Sequence, residues 1–294
     1  MVLFAASTLF LAACDSDSGS ESEEVSLSLS NMDPLTNGFH YEGWLIIGGS
    51  PVSTGKFNVT ESGALVDLSG SSIGNGLFEL DADVDNATAF VLTIEPSGDT
   101  DALPAATKYM GGNISSGTAS LSVSHSSSLN DSYGTSTGEY ILATPTNGSG
   151  TNENSGIWWL NPTSGTPMAG LSLPALPDGW KYEGWTVISG IPVTTGTFST
   201  ASGFDEFDGY SGTMGGPPFP GEDFLSSAPA GLSFPTDIRG GTAVISIEPF
   251  PDSDAAPFTL KPLVGAIPGS AVDHTVYQMS NNSAAFPTGS VSLN

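Results

Sequence analysis

The sequence contains 294 residues, which is long enough for two domains of ordinary size. Five Lys and Arg residues stand against 31 Asp and Glu residues, giving a formal net charge of −26 at pH 7. Nucleic acids and anionic membrane surfaces bind clustered basic side chains, so this composition argues against both as direct partners. The single cysteine excludes an intramolecular disulfide bond and a cluster of thiolate metal ligands.

The first element along the chain is an apolar segment with the features of a bacterial lipoprotein signal peptide. Residues 1–13 are too short to cross a bilayer, which takes about 20 apolar residues. Leu11-Ala12-Ala13 directly precedes Cys14 and resembles the lipobox of that class, in which the preceding peptide is removed and the cysteine is acylated. The resemblance implies a lipid anchor at Cys14, contact with the membrane through that anchor, and an extracytoplasmic place in the cell envelope. It leaves open whether the inner or the outer membrane holds the anchor, and whether the protein reaches the cell surface.

Residues 14–24 form an acidic segment without large apolar side chains. Asp15 to Glu24 contain five carboxylates within ten residues. Such a segment cannot bury enough apolar surface to fold, and repulsion between its like charges extends it. We therefore predict a disordered tether between the anchor and the first folded residue.

Strand signals begin at residue 25 and recur to the end of the chain. Val25–Ser30 alternates apolar and polar residues, as a strand with one buried face does. The runs Ala89–Ile94 and Ala243–Ile247 are apolar and β-branched, which favours central strands that end before the proline of a Glu-Pro pair. No segment carries a helical apolar stripe of ten or more residues. Short strands separated by Gly, Pro and Asn turns predict an all-β fold.

An internal repeat sets the predicted domain organisation. His-Tyr-Glu-Gly-Trp at 40–44 returns as Lys-Tyr-Glu-Gly-Trp at 181–185, and each copy continues into a Pro-Val-x-x-Gly-x-Phe motif. We predict two tandem antiparallel β-sandwich domains, at 25–160 and 169–294, joined by a linker at 161–168.

Residues retained in both copies are more simply explained by a shared fold than by a duplicated active site. Paired carboxylates would suit acid–base chemistry, but a carboxylate at a strand end or turn also accepts backbone N–H bonds, and we predict this structural role. The retained residues are Tyr41, Glu42, Trp44, Glu95 and Pro96 in the first copy and Tyr182, Glu183, Trp185, Glu248 and Pro249 in the second.

The order of these motifs resembles the extracytoplasmic C-terminal domain of the anti-sigma-K factor family. A Tyr-x-x-Trp strand, a Pro-Val-x-x-Gly-x-Phe hairpin and a strand ending in Glu-Pro occur in that order twice, within 41–96 and within 182–249. The resemblance implies an all-β envelope module that senses or holds a partner. Members of the family bind a sigma factor through a cytoplasmic helical domain joined by one transmembrane helix. This sequence carries neither pattern, so we expect no sigma-factor binding.

An individual function is expected where the two copies differ. The second copy carries a longer insertion around 205–235, and the first ends in Trp158-Trp159 after a long polar loop. Adjacent residues of a strand point to opposite faces, so one Trp is exposed unless the strand is covered on both sides. An exposed aromatic ring beside polar loops stacks on a sugar ring or a partner. The candidate ligand contacts are Trp158, Trp159, Phe219 and Phe224.

Catalytic and metal-binding motifs receive little support from the sequence. Gly134 to Gly138 matches a Gly-x-Ser-x-Gly nucleophile pattern with Ser136 at its centre, but a polar loop surrounds it, and His274 in the other copy is the one histidine that follows. Residues 81–85 begin like a calcium loop without its later Gly and Glu. We predict no enzymatic activity and no cofactor, leaving open a calcium ion in this Asp-rich loop or at Asp252 and Asp254.

The sequence thus predicts a non-catalytic, lipid-anchored protein of the cell envelope that acts as a binding or sensing module. Its partner is an envelope protein or a glycan. The alternative is a surface lipoprotein dedicated to carbohydrate binding, which uses the Trp158-Trp159 pair and the insertion of the second copy.

Overall fold

A computed structural model describes residues 23–148, 150–252 and 254–294 of the chain. The predicted signal peptide, Cys14 and the predicted tether as far as residue 22 lie outside these ranges. None of the helices within the described residues has the length and hydropathy needed to cross a bilayer.

The described residues form an all-β fold, as predicted. Apart from four one-turn 3-10 helices at Gly74–Gly76, Pro145–Asn147, Glu153–Ser155 and Ser283–Ala285, the regular structure in these ranges is extended. The strands are β1 (Glu23–Ser30), β2 (His40–Ile47), β3 (Ser50–Val59), β4 (Leu65–Val66), β5 (Leu77–Leu80), β6 (Ala87–Glu95), β7 (Lys108–Asn113), β8 (Thr118–Ser122), β9 (Thr137–Leu142), β10 (Gly156–Trp158), β11 (Leu160–Asn161), β12 (Met168–Ala169), β13 (Leu171–Ser172), β14 (Trp180–Ile188), β15 (Ile191–Phe198), β16 (Gly221–Asp223), β17 (Thr242–Pro249), β18 (Leu263–Ala266), β19 (Tyr277–Gln278), β20 (Ser280–Asn281) and β21 (Thr288–Leu293).

Antiparallel pairing organises these strands into three larger sheets and a short hairpin. The largest sheet has nine strands in the order β4-β3-β2-β6-β7-β8-β21-β1-β5. A second sheet has the order β15-β14-β17-β18-β20, and a third contains β13-β9-β10-β16 with β19 also paired to β9. Strands β11 and β12 pair with each other.

The two sequence repeats build the same local unit. The neighbours β3-β2-β6-β7 of the large sheet correspond to β15-β14-β17-β18 of the second sheet. Each unit has a register shift at the same motif position, between Gly43 and Trp44 in one and between Gly184 and Trp185 in the other. The extra residue lies in the neighbouring strand, because Thr54 of β3 and Thr195 of β15 have no residue opposite them, as in a β-bulge.

The repeats exchange strands with each other. The first strand of repeat one, β1, pairs with β21 at the end of repeat two, with Leu29 opposite Gly289. The first strand of repeat two, β13, pairs with β9 of repeat one, with Leu171 opposite Gly138. Both acceptor strands begin with Thr-Gly, and both glycines face the leucine of the partner strand. The exchange is therefore reciprocal and uses one register.

A continuous core accompanies this exchange. One buried hydrophobic cluster contains side chains from both repeats. Aromatic rings bridge them: Tyr109 stacks on Tyr41 at 5.9 Å between ring centroids and on Trp180 at 6.1 Å. The sequence analysis placed two domains at 25–160 and 169–294. Two of the three larger sheets and the main core contain residues of both ranges, whereas the sheet β15-β14-β17-β18-β20 belongs to the second range alone.

Three predicted boundaries shift by one or a few residues. Strand β1 starts at Glu23, so the last two residues assigned to the tether are extended and paired with β5. The predicted linker includes the β11–β12 hairpin, in which Asn161 pairs with Met168. Pro96 follows the end of β6 as predicted, but Pro249 is the last residue of β17. Pairing continues to Pro249 because the next N–H, from Phe250, donates to the Gly179 carbonyl.

Candidate functional site

The retained motif residues of repeat one form a buried hydrogen-bond chain. Trp44 Nε1 donates to Thr93 Oγ1 at 2.9 Å, and the Thr93 hydroxyl donates to Glu95 Oε1. The same oxygen accepts the backbone N–H of Ala105 at 3.0 Å. This chain ties the Trp of β2 to the loop that follows β6.

Repeat two reproduces the chain with Ser in place of Thr. Trp185 Nε1 donates to Ser246 Oγ at 2.8 Å, the Ser246 hydroxyl donates to Glu248 Oε1, and that oxygen accepts the N–H of Phe258 at 2.9 Å. The motif tyrosines are equivalent as well, since Tyr41 and Tyr182 each donate a 2.8 Å hydrogen bond to a carbonyl eight residues upstream. These contacts connect elements of the fold, as the sequence repeat suggests.

The remaining motif carboxylates, Glu42 and Glu183, accept hydrogen bonds from hydroxyl groups of the neighbouring strand. The donor to Glu42 is Ser53, and the donor to Glu183 is Thr194 at 2.5 Å. Burial raises the pKa of Glu183 to about 7 and the pKa of Glu248 to about 8. Both carboxyl groups therefore bind protons at a higher pH than an ordinary glutamate does.

Trp158 and Trp159 point to opposite faces of their strand, as alternation requires, and both faces are covered. Trp159 is fully buried in the main core, where its ring packs against Gly184 and Tyr140. Trp158 is only 4% exposed and belongs to a smaller cluster with Phe219 on the other side of the sheet. The insertion of repeat two supplies this cover.

Two of the four predicted ligand contacts are therefore not available to a ligand. Trp159 and Phe224 are completely buried, because the main core encloses the first and the segment after β16 folds the second inwards. Trp158 and Phe219 lie together and both line a surface cleft, although only an edge of Trp158 reaches it.

A buried carboxylate fixes the insertion over Trp158. Asp223 Oδ1 accepts a 2.7 Å hydrogen bond from Trp158 Nε1, and Asp223 Oδ2 accepts from the Thr146 amide at 2.8 Å and from its hydroxyl at 2.5 Å. Asp205 closes the other side, accepting the N–H of Phe207 and of Gly221, each at 2.9 Å. Burial raises the pKa of Asp223, and it raises the pKa of Asp205 to about 6.

The cleft between these anchors has a volume of about 390 Å³. Its apolar lining combines buried and exposed rings, and Phe204 and Met214 at the rim are 69% and 56% exposed. Its polar lining includes Asp205, Asp208 and Ser211. Apolar surface beside a few convergent polar groups is the usual composition of a small-molecule site, and the volume lies within the usual range.

Phe204 and Met214 were not singled out in the sequence, although both lie in or next to the insertion that was. Their exposure depends on how the insertion folds back over Trp158, which local patterns do not encode. The insertion itself was the signal that located the cleft.

The weaker catalytic hypothesis is not supported by the geometry. Ser136 precedes β9, whereas the backbone N–H of His274 donates to Leu142 at the far end of that strand. A strand of this length separates the two residues by about 20 Å. Ser136 and His274 are thus too far apart to form a nucleophile–base pair.

Metal-binding atoms converge away from the Asp-rich loop that the sequence analysis left open for calcium. Within the described ranges, the group of three such side chains that comes together is His40, Glu42 and Asp99, whose ligand atoms lie within 4.8 Å of one another. Asp81, Asp83 and Asp85 are exposed and do not join a group of this kind. The sequence signal that was missed is the change from His40 to Lys181 within an otherwise repeated motif.

Comparison with known proteins gives no identification. No protein family, no curated protein and no solved structure matches the chain.

Proposed function

We propose that the protein is a non-catalytic, lipid-anchored binding protein of the cell envelope that holds a glycan in the cleft of the repeat-two insertion. The cleft is the observation that carries the proposal, because it joins exposed apolar side chains to carboxylate acceptors on a rigid scaffold. The anchor and the relation to the anti-sigma-K extracytoplasmic module complete the proposal, and they rest on the lipobox at Cys14 and on the repeated motif.

The two surfaces of a sugar ring suit the two kinds of lining. The C–H face of a pyranose packs against an aromatic side chain such as Phe204, while its hydroxyl groups donate to acceptors such as Asp208 and Ser211. The insertion is held in place by the buried hydrogen bonds of Asp223 and the partly buried hydrogen bonds of Asp205. A site that is already ordered loses little conformational entropy on binding.

Charge narrows the ligand class. Asp205, Glu206 and Asp208 line the cleft, and the whole chain carries a net charge of −26. Uronic and sialic acids would be repelled, so the expected ligand is a neutral glycan.

The cleft is tested with Phe204→Ser on an array of neutral, uronic and sialylated oligosaccharides, followed by calorimetric titration of the best neutral ligand. Loss of one stacking contact of about 1.4 kcal/mol lowers affinity about tenfold. Leu103→Ser is the matched control, because Leu103 is 65% exposed and lies in repeat one away from the cleft. Both substitutions are at exposed sites, so the fold is retained.

Failure of the folded protein to bind any neutral glycan, or equal binding by both variants, would contradict the glycan assignment. Binding of acidic glycans with similar affinity would contradict the charge argument. Retention of an envelope protein that Phe204→Ser releases would instead favour a protein ligand for the same cleft.

The anchor is tested separately with Cys14→Ser in a bacterial host. The parent protein is expected in the membrane fraction with a mass increased by acyl chains, and the variant as a soluble or unprocessed form. Unchanged membrane fractionation of the variant would refute lipidation at Cys14.

A further inference from the structure

We propose that His40, Glu42 and Asp99 form a binding site for one divalent transition-metal ion, with Zn²⁺ as the ion that the donor set fits best. The site lies in repeat one, away from the cleft of the repeat-two insertion, and is independent of the glycan proposal.

The backbone places the three donors together. His40 and Glu42 are two residues apart on β2, so their side chains leave the same face of the sheet. Asp99 lies in the turn after β6, and β6 is the neighbour of β2. One ring nitrogen and two carboxylate oxygens come within 4.8 Å of one another, so small side-chain rotations bring them around a single ion.

Two buried atoms at the site point to a ligand. His40 Nε2 and Glu42 Oε2 are buried and have no hydrogen-bond partner among the described residues, and the two side chains belong to residues only 4% and 2% exposed. Glu42 Oε2 has only the longer ion-pair contact with Lys56, at 3.6 Å, and His40 Nε2 has no polar partner of this kind among the described residues. Buried polar atoms are usually paired, so the unpaired His40 nitrogen calls for an explanation. A metal ion that accepts the lone pair of His40 Nε2 and binds Glu42 Oε2 supplies it.

The other ring nitrogen of His40 is oriented as in known metal sites. Nδ1 lies 3.4 Å from the Gly38 carbonyl oxygen, a contact in which an N–H at Nδ1 leaves the lone pair on Nε2. Metal-binding histidines commonly donate their second nitrogen to a backbone carbonyl in this way.

The donor set selects the kind of ion. Imidazole nitrogen suits zinc and neighbouring transition metals, whereas calcium and magnesium take oxygen ligands. Zinc commonly binds three protein ligands and takes a solvent molecule as its fourth ligand.

Lys56 is the internal competitor for these carboxylates. Its ammonium group lies 2.9 Å from Asp99 Oδ2 and 3.6 Å from Glu42 Oε2. The Lys56 side chain is 28% exposed, so it reaches solvent and can withdraw from the site when a divalent ion binds. A bound metal ion and Lys56 therefore compete for the same two carboxylates.

Repeat two shows which donor is particular to repeat one. Strand registers place Lys181 where repeat one has His40, and Thr197 where it has Lys56. Lys181 donates to Glu206 from the insertion at 2.5 Å and 2.7 Å. A fixed cation thus replaces the imidazole in repeat two, and the metal site is confined to repeat one.

The experiment titrates Zn²⁺ into the full chain carrying Cys14→Ser, which removes the only thiol. Calorimetry and metal analysis after dialysis are expected to give one Zn²⁺ per chain. His40→Ala should lower the affinity at least about 100-fold, because even partners outside the coordination sphere are worth about 10–100-fold. His274→Ala is the matched control, since it removes an exposed histidine and should leave Zn²⁺ binding unchanged.

Two further variants keep the test decisive if His40→Ala does not fold. Asp99→Asn changes a loop residue and should also weaken binding, with folding checked by circular dichroism. Lys56→Thr installs the repeat-two residue and should strengthen binding, because it removes the competing ammonium group. Absence of bound Zn²⁺, equal affinity of His40→Ala and His274→Ala, or Ca²⁺ binding as tight as Zn²⁺ binding would each overturn the proposal.

Discussion

Glu248 is a buried carboxyl group that couples the stability of the protein to pH. Burial raises its pKa from the ordinary 4.5 to about 8, and burial raises the pKa values of Glu183 and Glu222 to about 7. Between pH 4.5 and these values, the folded state binds more protons than the unfolded state. The free energy of unfolding therefore falls as the pH rises through that window.

Glu248→Gln is expected to reduce this pH dependence. The amide oxygen can still accept the hydrogen bonds of Ser246 and Phe258, while no proton is lost on unfolding. Urea unfolding at pH 5 and pH 8 should show a decline for the parent protein and a decline smaller by at least about 1 kcal/mol for the variant. Repulsion among the many carboxylates also lowers the free energy of unfolding as the pH rises. Glu79→Gln removes one carboxylate at an exposed site and therefore serves as the control for this general charge effect. Equal declines in both variants would contradict the assignment to Glu248.

The Tyr-Glu-Gly-Trp residues show what a repeat can reveal at the residue scale. The Trp and Glu residues occur at the same motif positions in both copies because each copy forms the same hydrogen-bond chain from Trp through a hydroxyl group to Glu. The sequence repeat alone was sufficient to predict that these residues share one role. The glycine has a packing reason as well. A side chain at Gly43 would come within 2.7 Å of the Phe90 ring, and one at Gly184 would come equally close to Trp159.

The burial of Trp158 and Trp159 shows the limit of the same reasoning. Alternation predicts that the two rings face opposite sides, and they do. Whether the outer face meets solvent depends on residues more than 40 positions away, in the insertion held by Asp223. Local sequence carries no signal of that contact, so exposure could not be predicted.

At the scale of elements, hairpins were predictable and strand exchange was not. The units β2–β3 and β14–β15 form between neighbours in sequence, where alternation and turn residues determine the pairing. The pairings β1–β21 and β13–β9 join strands from opposite repeats. A strand pattern indicates that an edge needs a partner and does not identify which copy supplies it.

A related signal was nevertheless present in the sequence. Strands β9 and β21 both read Thr-Gly-x-x-x-Leu, and each pairs with the first strand of the opposite repeat. The glycine allows the leucine of the partner strand to approach, because a Cβ atom at position 289 would come within 2.7 Å of Leu29 Cδ2. Recognising this second repeated motif would have aligned the acceptor strands, although alignment alone leaves their partners undetermined.

For the whole molecule, exchange of strands makes the two repeats one structural unit. Two of the three larger sheets contain strands of both repeats, and one hydrophobic cluster runs through both. Unfolding repeat one alone would remove the partner of β21 and expose the face of Trp180 that packs on Tyr109. Such a partly unfolded state loses the contacts between the two repeats as well as those within repeat one, so we expect it to be unpopulated.

This predicts a single cooperative unfolding transition in spite of the sequence repeat. Leu92→Ala and Ile245→Ala form a matched pair, because the residues occupy equivalent positions and both are fully buried. Each substitution should cost about 2–5 kcal/mol and lower the midpoint of the same calorimetric peak. Independent domains would instead show two transitions, of which Leu92→Ala moves one and Ile245→Ala moves the other. A ratio of calorimetric to van't Hoff enthalpy near one in the parent and in both variants is the result expected of a chain whose repeats fold together.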